Sequence, residues 1–300
     1  MKKLLFIANP KAGRGRNAAA FFDAACAFSK AGYLVSLRKP ERYGDIARFA
    51  AEAEGYDLVV CSGGDGTLSS TLSGIMKISE ERRPPVGYMP GGSTNDFANS
   101  LHLPHHIAAA AENVLTGVPT RLDLGRWGDR EFVYVASFGA FTRASYSAPQ
   151  DVKNALGSLA YILEGARDLD TLHPYRVSID TEEEHIEGDY LFGAVSNSTT
   201  IAGRMKLSDE IVKMDDGEFE LILVRDVKSL DDLRNVLQTL TRQEFDPRYV
   251  TVRHVKRVRF RTDEDIPWSL DGEFAPSRPE VLIENLPGAY TLILPREAKN

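Results

Sequence analysis

The sequence predicts an α/β domain with a parallel sheet, followed by a mainly β domain built as an antiparallel sandwich. Three observations predict it. Up to about residue 120, short apolar runs alternate with segments of helical periodicity, as in strands joined by covering helices. Beyond that point come short runs rich in β-branched and aromatic residues, with only two helical patterns between them. The length of 300 residues suits two modest domains that each bury a core. The first domain is placed at 1–120 and the second at 121–288, with the last strand, 289–300, free to return to the first.

The elements follow in order. Residues 4–8, Leu-Leu-Phe-Ile-Ala, are an apolar run that Asn9 and Pro10 stop. The Ala- and Phe-rich stretch 17–31 reads as a helix, and 34–37 as a strand. Ile46, Phe49, Ala50 and Ala53 share a helical face at i, i+3, i+4 and i+7. Residues 58–61 form the next apolar run, and Leu68, Leu72, Ile75 and Met76 line the helix after it. Residues 86–89 are a further strand, and 107–115 a helix closed by Gly117. Residues 116–119, Thr-Gly-Val-Pro, mark the domain boundary.

In the second domain, strands are expected at 122–124, 132–138, 175–180, 190–197, 219–224, 250–261, 281–283 and 290–294, and helices at 152–169 and 229–242. Arg253, Lys256, Arg257, Arg259 and Arg261 read as the solvated face of one strand, with Val252, Val255, Val258 and Phe260 inside. The imperfect alternation predicts a bulge. The rarer reading of this run is a patch for anionic lipid headgroups.

Three of the strands end in glycine-rich loops. Residues 62–67 read Ser-Gly-Gly-Asp-Gly-Thr, and three glycines in four positions let a bulky anion approach the backbone. Asp65 in that loop repels a bare phosphate, so a cation between carboxylate and phosphate makes sense of it. A loop carboxylate contributes little to a core, so Asp65→Ala is expected to spare the fold. Residues 9–16 carry Gly13 and Gly15 with Lys11, Arg14 and Arg16 as positive charge. Residues 90–98 bring Gly91 and Gly92, then Ser93, Thr94 and Asn95, good phosphate donors and helix caps, then Asp96. Open α/β sheets bind ligands beyond the carboxyl ends of their strands, where all three loops lie.

Asn9-Pro10…Gly13, the run from Gly63 to Thr67, and Pro90-Gly91…Thr94-Asn95-Asp96-Phe97-Ala98 resemble the three N-terminal motifs of the diacylglycerol kinase catalytic-domain family, and its soluble bacterial lipid kinases most closely. Leu270-Asp271-Gly272-Glu273 is similar to the family's Asp-Gly-Glu. The likeness in order and spacing covers nearly the whole chain. The third loop departs mildly: Pro-Gly-Gly-Ser-Thr-Asn stands where the family commonly has Pro-x-Gly-Thr-x-Asn, and Ser93 keeps the hydroxyl.

The resemblance implies an α/β nucleotide domain, a β-rich domain for a lipid substrate, and a cleft between them. It implies ATP as phosphoryl donor with Mg²⁺, and a lipid hydroxyl, diacylglycerol by default, as acceptor. Nucleotide contacts are expected from Asn9, Pro10, Lys11, Gly13, Arg14, Arg16, Gly63, Gly64, Gly66, Thr67, Gly91, Gly92, Ser93, Thr94 and Asn95. Asp65 and Asp96 are expected to organise the metal and its waters, and Glu273 matches the family's base. On sequence grounds Asp-Gly-Glu is only a hairpin turn, and residues 215–217 only an Asp-Gly turn. The resemblance assigns the second turn a structural Mg²⁺ or Ca²⁺, held by the Asp216 carboxylate and the carbonyls of Lys213 and Glu218. Two rivals are an NAD-kinase-like enzyme with a soluble acceptor and a non-catalytic lipid- or nucleotide-binding protein. A Thr-Pro-Thr-Gly-Ser-like segment, expected of the first, is missing. Loss of Asp65 or Glu273, expected of the second, has not occurred.

Composition bounds the partners. The formal charge of −7 argues against nucleic acid and gives no global attraction to anionic membranes. Cys26 and Cys61, both in apolar segments, read as reduced buried thiols. The apolar run before Asn9 is too short for a secretion signal, and no stretch approaches transmembrane length. The expected location is the cytoplasm, with transient contact at the inner face of the membrane. A homodimer is left open.

Overall fold

The structure, a computed structural model, describes residues 1–12, 18–92, 95–139, 173–201, 205–206 and 212–296. The chain divides into two compact units, Met1–Leu122 with Gly288–Asn300, and Asp123–Pro287.

The first unit runs β1 (Lys2–Ala8), α1 (Ala18–Lys30), β2 (Tyr33–Arg38), α2 (Asp45–Ala51), β3 (Leu58–Gly63), α3 (Asp65–Ile75), β4 (Val86–Pro90), α4 (Asp96–Ser100) and α5 (Ile107–Thr116). Its strands are parallel in the order β2-β1-β3-β4. β1, β3 and β4 read as unbroken apolar runs because both faces of a parallel sheet are covered. Leu4, Phe6 and Ala8 share a core with Phe21 and Phe28 of α1 and Val114 of α5. The Phe6 ring stands edge-on to Phe21 and Phe28, at 6.1 and 5.7 Å. Cys61 is buried, which pushes its thiol up to about 12 and leaves it inert. Cys26 is only partly buried, a correction to the expectation for it.

The second unit begins within β5 (Val118–Trp127). It continues through β6 (Arg130–Phe132), β7 (Val135–Gly139), β8 (Tyr175–Asp180), β9 (His185–Ser196), the short pair β10 (Thr200–Ile201) and β11 (Met205–Lys206), and β12 (Phe219–Arg225). Then come α6 (Leu230–Arg242), β13 (Val250–Val255), β14 (Arg257–Arg261), β15 (Trp268–Leu270), β16 (Glu273–Ala275) and β17 (Glu280–Leu294). The long strand β9 makes it a sandwich. Its first half pairs with β8 and its second half lies between β7 and β12, all antiparallel. One layer is therefore β16-β15-β7-β9-β12-β13, and the other continues β9-β8-β14-β17. Trp127, Phe138, Tyr190, Phe219, Phe260 and Trp268 fill the core that both layers share. α6 is capped by Ser229, whose hydroxyl accepts from the Asp232 amide. The helix expected at 152–169 lies outside the described residues.

Four of the expected strands differ in the structure. The run 132–138 breaks into β6 and β7, because the amides at the break bond to a side chain instead of a neighbouring strand. The run 250–261 contains a change of partner, not a bulge. β13 pairs with β12, whereas β14 pairs with β8 and β17. Val255 and Val258 both face the core, three residues apart, so the inward parity shifts at Lys256. Val252 is only partly buried, on the opposite face of β13 from Val255. The two short strands at 281–283 and 290–294 are one strand, β17, which pairs with β14 before Pro287-Gly288 and with β4, in parallel, after it.

The basic run is solvated, as its first reading had it, and it is also neutralised. Arg253 pairs with Glu184, Arg257 with Glu182, Arg259 with Glu280, and Arg261 with Asp180 and Glu280. Exposed pairs of this kind contribute little to stability, but they leave no block of unmatched charge for a lipid headgroup.

Candidate active site

All three glycine-rich loops leave the carboxyl ends of parallel strands, and hydrogen bonds join them. The strand order 2-1-3-4 makes the β1/β3 boundary the switch point where such sheets bind ligands. Asn9 sits there. Its amide donates to the Ser62 carbonyl at 2.9 Å, and its side-chain Nδ2 donates to the Thr67 hydroxyl at 3.0 Å. Its Oδ1 accepts from the Lys11 amide at 3.2 Å, which turns the chain after Pro10. The Lys11 ammonium is exposed, 3.4 Å from the Glu41 carbonyl. Gly13, Arg14 and Arg16 lie outside the described residues, as do Ser93 and Thr94.

The second and third loops touch backbone to backbone. The Gly91 amide donates to the Gly63 carbonyl at 2.7 Å, and the Tyr88 hydroxyl donates to the same carbonyl at 3.2 Å. A Cβ on Gly92 would stand 2.6 Å from the Gly64 Cα, and one on Gly63 would stand 2.2 Å from the Thr67 Oγ1. Those two glycines are demanded by the protein itself. Gly66 differs: among the described residues, a Cβ there meets no atom within 4 Å beyond its own helix backbone. Asn95, buried and left-handed at φ 52°, closes the third loop. Its Oδ1 accepts from the Gly92 amide at 2.8 Å, and its Nδ2 donates to the Gly92 carbonyl at 3.2 Å.

Asp65 and Asp96 stand together. Asp65 is the first residue of α3, and its carboxylate accepts from the Asp96 and Phe97 amides at 3.2 and 3.3 Å. It thus holds the start of α4, more than a loop carboxylate was expected to do. Burial, and then repulsion from Asp65, push the Asp96 carboxyl up to about 6. Two crowded carboxylates with this mutual repulsion are a donor set that suits a hard divalent cation.

In the second unit, Glu273 opens β16 with its side chain exposed, directly after the two-residue turn Asp271-Gly272. The Asp216 turn is also an ordered feature. Asp216 Oδ1 accepts from the Glu218 amide at 3.0 Å, and Gly217, at φ 80°, donates its amide to Asp123 Oδ2 at 2.7 Å. Asn285 Nδ2 bridges the Glu218 carbonyl and Asp123 Oδ2, at 3.1 and 3.3 Å, while its Oδ1 is buried without a partner. Lys213 is exposed. Among the described residues, no group of three His, Cys, Asp or Glu side chains is arranged to hold a metal.

Sequence reasoning missed Asp123 and Asn285, and it named Asp271 only as part of the Asp-Gly-Glu turn, where the structure buries its carboxylate. A signal existed for Asp123, a carboxylate inside the apolar run Leu122-Asp123-Leu124 and 1% exposed, since such residues are seldom buried without a task.

Residues 3–127 match the diacylglycerol kinase catalytic domain, and residues 135–294 match the YegS C-terminal NAD kinase beta sandwich-like domain. A diacylglycerol kinase of Staphylococcus saprophyticus is 30% identical over 302 residues, covering 100% of this chain and 97% of that one. The chain belongs to the diacylglycerol kinase family. A diacylglycerol kinase of Bacillus subtilis, in the same family, is 29% identical over 99% of this chain and 98% of its own. The crystal structure of a diacylglycerol kinase from Bacillus anthracis strain Sterne shares the fold, with a TM-score of 0.75 at 22% identity over 98% of this chain and 97% of that one.

Proposed function

We propose that the chain is an ATP-dependent lipid kinase that transfers the γ-phosphoryl group to the hydroxyl of diacylglycerol, giving phosphatidic acid. The observation that carries this reading is the junction of Gly-rich loops and paired carboxylates at the switch point of the first unit, in a chain of this family. Bound Mg²⁺ would be held by Asp65 and Asp96, directly or through water, and would neutralise charge on the transferred phosphate.

The rest falls to the chain. Backbone amides of Gly64 and Gly66 face the phosphates, helped by Ser93, Thr94, Lys11, Arg14 and Arg16. Asn9, Pro10, Gly13, Gly63, Thr67, Gly91, Gly92 and Asn95 shape the loops that present them, the Gly91 and Gly92 amides being engaged by the Gly63 carbonyl and by Asn95. The exposed Glu273 carboxylate accepts the acceptor's proton as transfer proceeds, since a lipid alcohol is too weak an acid to ionise first.

A structural Mg²⁺ or Ca²⁺ at Asp216, Lys213 and Glu218 belongs to the same proposal. Its support is an oxygen-only donor set and the unpaired Asn285 Oδ1 nearby. The substrate lies in a bilayer, and no helix among the described residues is long and apolar enough to cross one. The reaction therefore calls for contact with a membrane surface, read by vesicle sedimentation. Light scattering reads whether the working form is a homodimer.

Labelled ATP offered with diacylglycerol micelles, other lipid alcohols and NAD decides the acceptor. Incorporation into NAD alone would reject the lipid reading. Glu273→Gln should lower kcat by roughly 10²–10⁴ with ATP binding retained. A Gln variant of normal kcat would remove Glu273 from the reaction.

A further inference from the structure

The Asp-Gly-Glu segment holds two carboxylates of opposite circumstance. Glu273 is exposed, whereas Asp271 is 7% exposed. Asp271 Oδ2 accepts from the Val133 amide at 2.7 Å, and Oδ1 from the Tyr134 and Val135 amides at 3.0 and 3.2 Å. These are the consecutive amides at the break between β6 and β7. The Tyr134 carbonyl is fastened from the other side by the Asn197 amide at 2.9 Å and the Ser196 hydroxyl at 3.3 Å. The main chain of Asp271 is held too, since its amide donates to the Val135 carbonyl at 2.9 Å and carries the β15–β7 ladder one residue further.

Asp271 and Gly272 have φ of 50° and 84°, the two left-handed residues of a type I′ hairpin turn. Asp tolerates that conformation better than most side chains. The next residue is Glu273, paired with Leu270 across the turn. A short rigid lever results, with one end clamped in a buried amide cluster and the other presenting a carboxylate to solvent.

We propose that Asp271 is a positioning residue: its carboxylate, clamped by the amides of residues 133–135, fixes the turn that aims Glu273. The inference rests on the reading of Glu273 as the base. Small misplacements of such a group slow a reaction without weakening substrate binding.

The test uses the full chain and steady-state kinetics of the wild type, Asp271→Asn, Glu273→Gln and the double variant. Asn keeps the shape but removes one of the two acceptor oxygens. Asp271→Asn should lower kcat about 10- to 100-fold, with KM for ATP within about threefold. Added to Glu273→Gln, it should cost less than about threefold further, because one residue acts through the other. Losses that multiply in the double variant, or a KM that climbs along with the fall in kcat, would mark a general structural role and overturn the proposal.

If Asp271→Asn does not fold, Gly272→Ala decides. Among the described residues its Cβ would meet no atom within 4 Å, so the strain falls on the turn, where Gly272 has φ 84°. A kcat loss that vanishes in the Glu273→Gln background supports the lever, and a normal kcat refutes it. A Glu273→Gln enzyme of normal rate sinks the base assignment and this proposal with it. Failure of the lever alone looks different: Glu273→Gln is then crippled while Asp271→Asn is not.

Discussion

Gly66 offers a sharp test of where the nucleotide sits. It is exposed, it is the second residue of α3, and among the described residues a Cβ there would meet no atom within 4 Å beyond its own helix backbone. No contact among the described residues calls for a glycine at that position. Gly in a helix is less favourable than Ala by roughly 0.5–1 kcal/mol. Gly66→Ala should therefore raise the melting temperature of the ligand-free protein by roughly 1–4 °C. If the backbone amides of this turn face phosphate, the new methyl stands in the way. One hydrogen bond to a charged group is worth about 1.5–3 kcal/mol, which corresponds to roughly 10–150-fold in KM for ATP. The assay pairs melting curves with initial rates against ATP at saturating diacylglycerol. A more stable variant with a weakened ATP KM fits the reasoning. An unchanged KM would refute it and move the phosphates away from this turn. Gly63→Ala is the control with the opposite outcome, because its methyl would collide with Thr67 and the fold would suffer.

Other outcomes follow from the carboxylates. Asp96, raised from 3.8 to about 6 by burial and Asp65, binds its proton more tightly when folded, so its ionisation opposes folding. That penalty is absent below pH 4, grows between pH 4 and 6, and reaches roughly 3 kcal/mol at most above that. Asp96→Asn should melt above the wild type at pH 7.5 without Mg²⁺, with the gap closing by pH 4; a gap independent of pH would contradict this. Glu220, 2% exposed with Oε2 unpaired, is pushed up to about 9, mainly by burial. The same sign applies, so the melting-temperature gain of Glu220→Gln should be negligible near pH 4.5 and increase toward pH 9; a gain already full at pH 4.5 would count against it. For the Asp216 turn, a chelator should lower the melting temperature of the wild type and leave that of Asp216→Asn unmoved; equal shifts in both would remove the structural cation.

Periodicity made the first unit legible because its strands and helices carry their own patterns. The second was harder, since its breaks are set by distant partners. The run 132–138 looks like one strand, and only Asp271, far along the chain, explains why its amides leave the ladder. Pro287-Gly288 reads as a stop, yet β17 passes through it, because the change of partner occurs there. At the site, the glycine spacing marked the loops that the structure places at the carboxyl ends of β1, β3 and β4. Which glycines serve packing and which leave room for a ligand depends on contacts between loops about 30 residues apart, such as Gly64 with Gly92, and these carry no local signature. The same is true of Asp65, whose hold on the start of α4 spans that distance.

The path of β17 sets a timetable for synthesis. Its last residues pair with β4, and Gly288–Asn300 belongs with the first unit. When residue 122 leaves the ribosome, the β4 edge still lacks the strand that will cover it. Roughly 170 further residues must be translated first, or roughly 10–35 s at ordinary elongation rates. For that interval the nascent sheet has an open edge of the kind that invites unwanted pairing. Chaperone engagement on stalled chains should therefore persist past residue 122 and end only once the region around Leu292 has emerged.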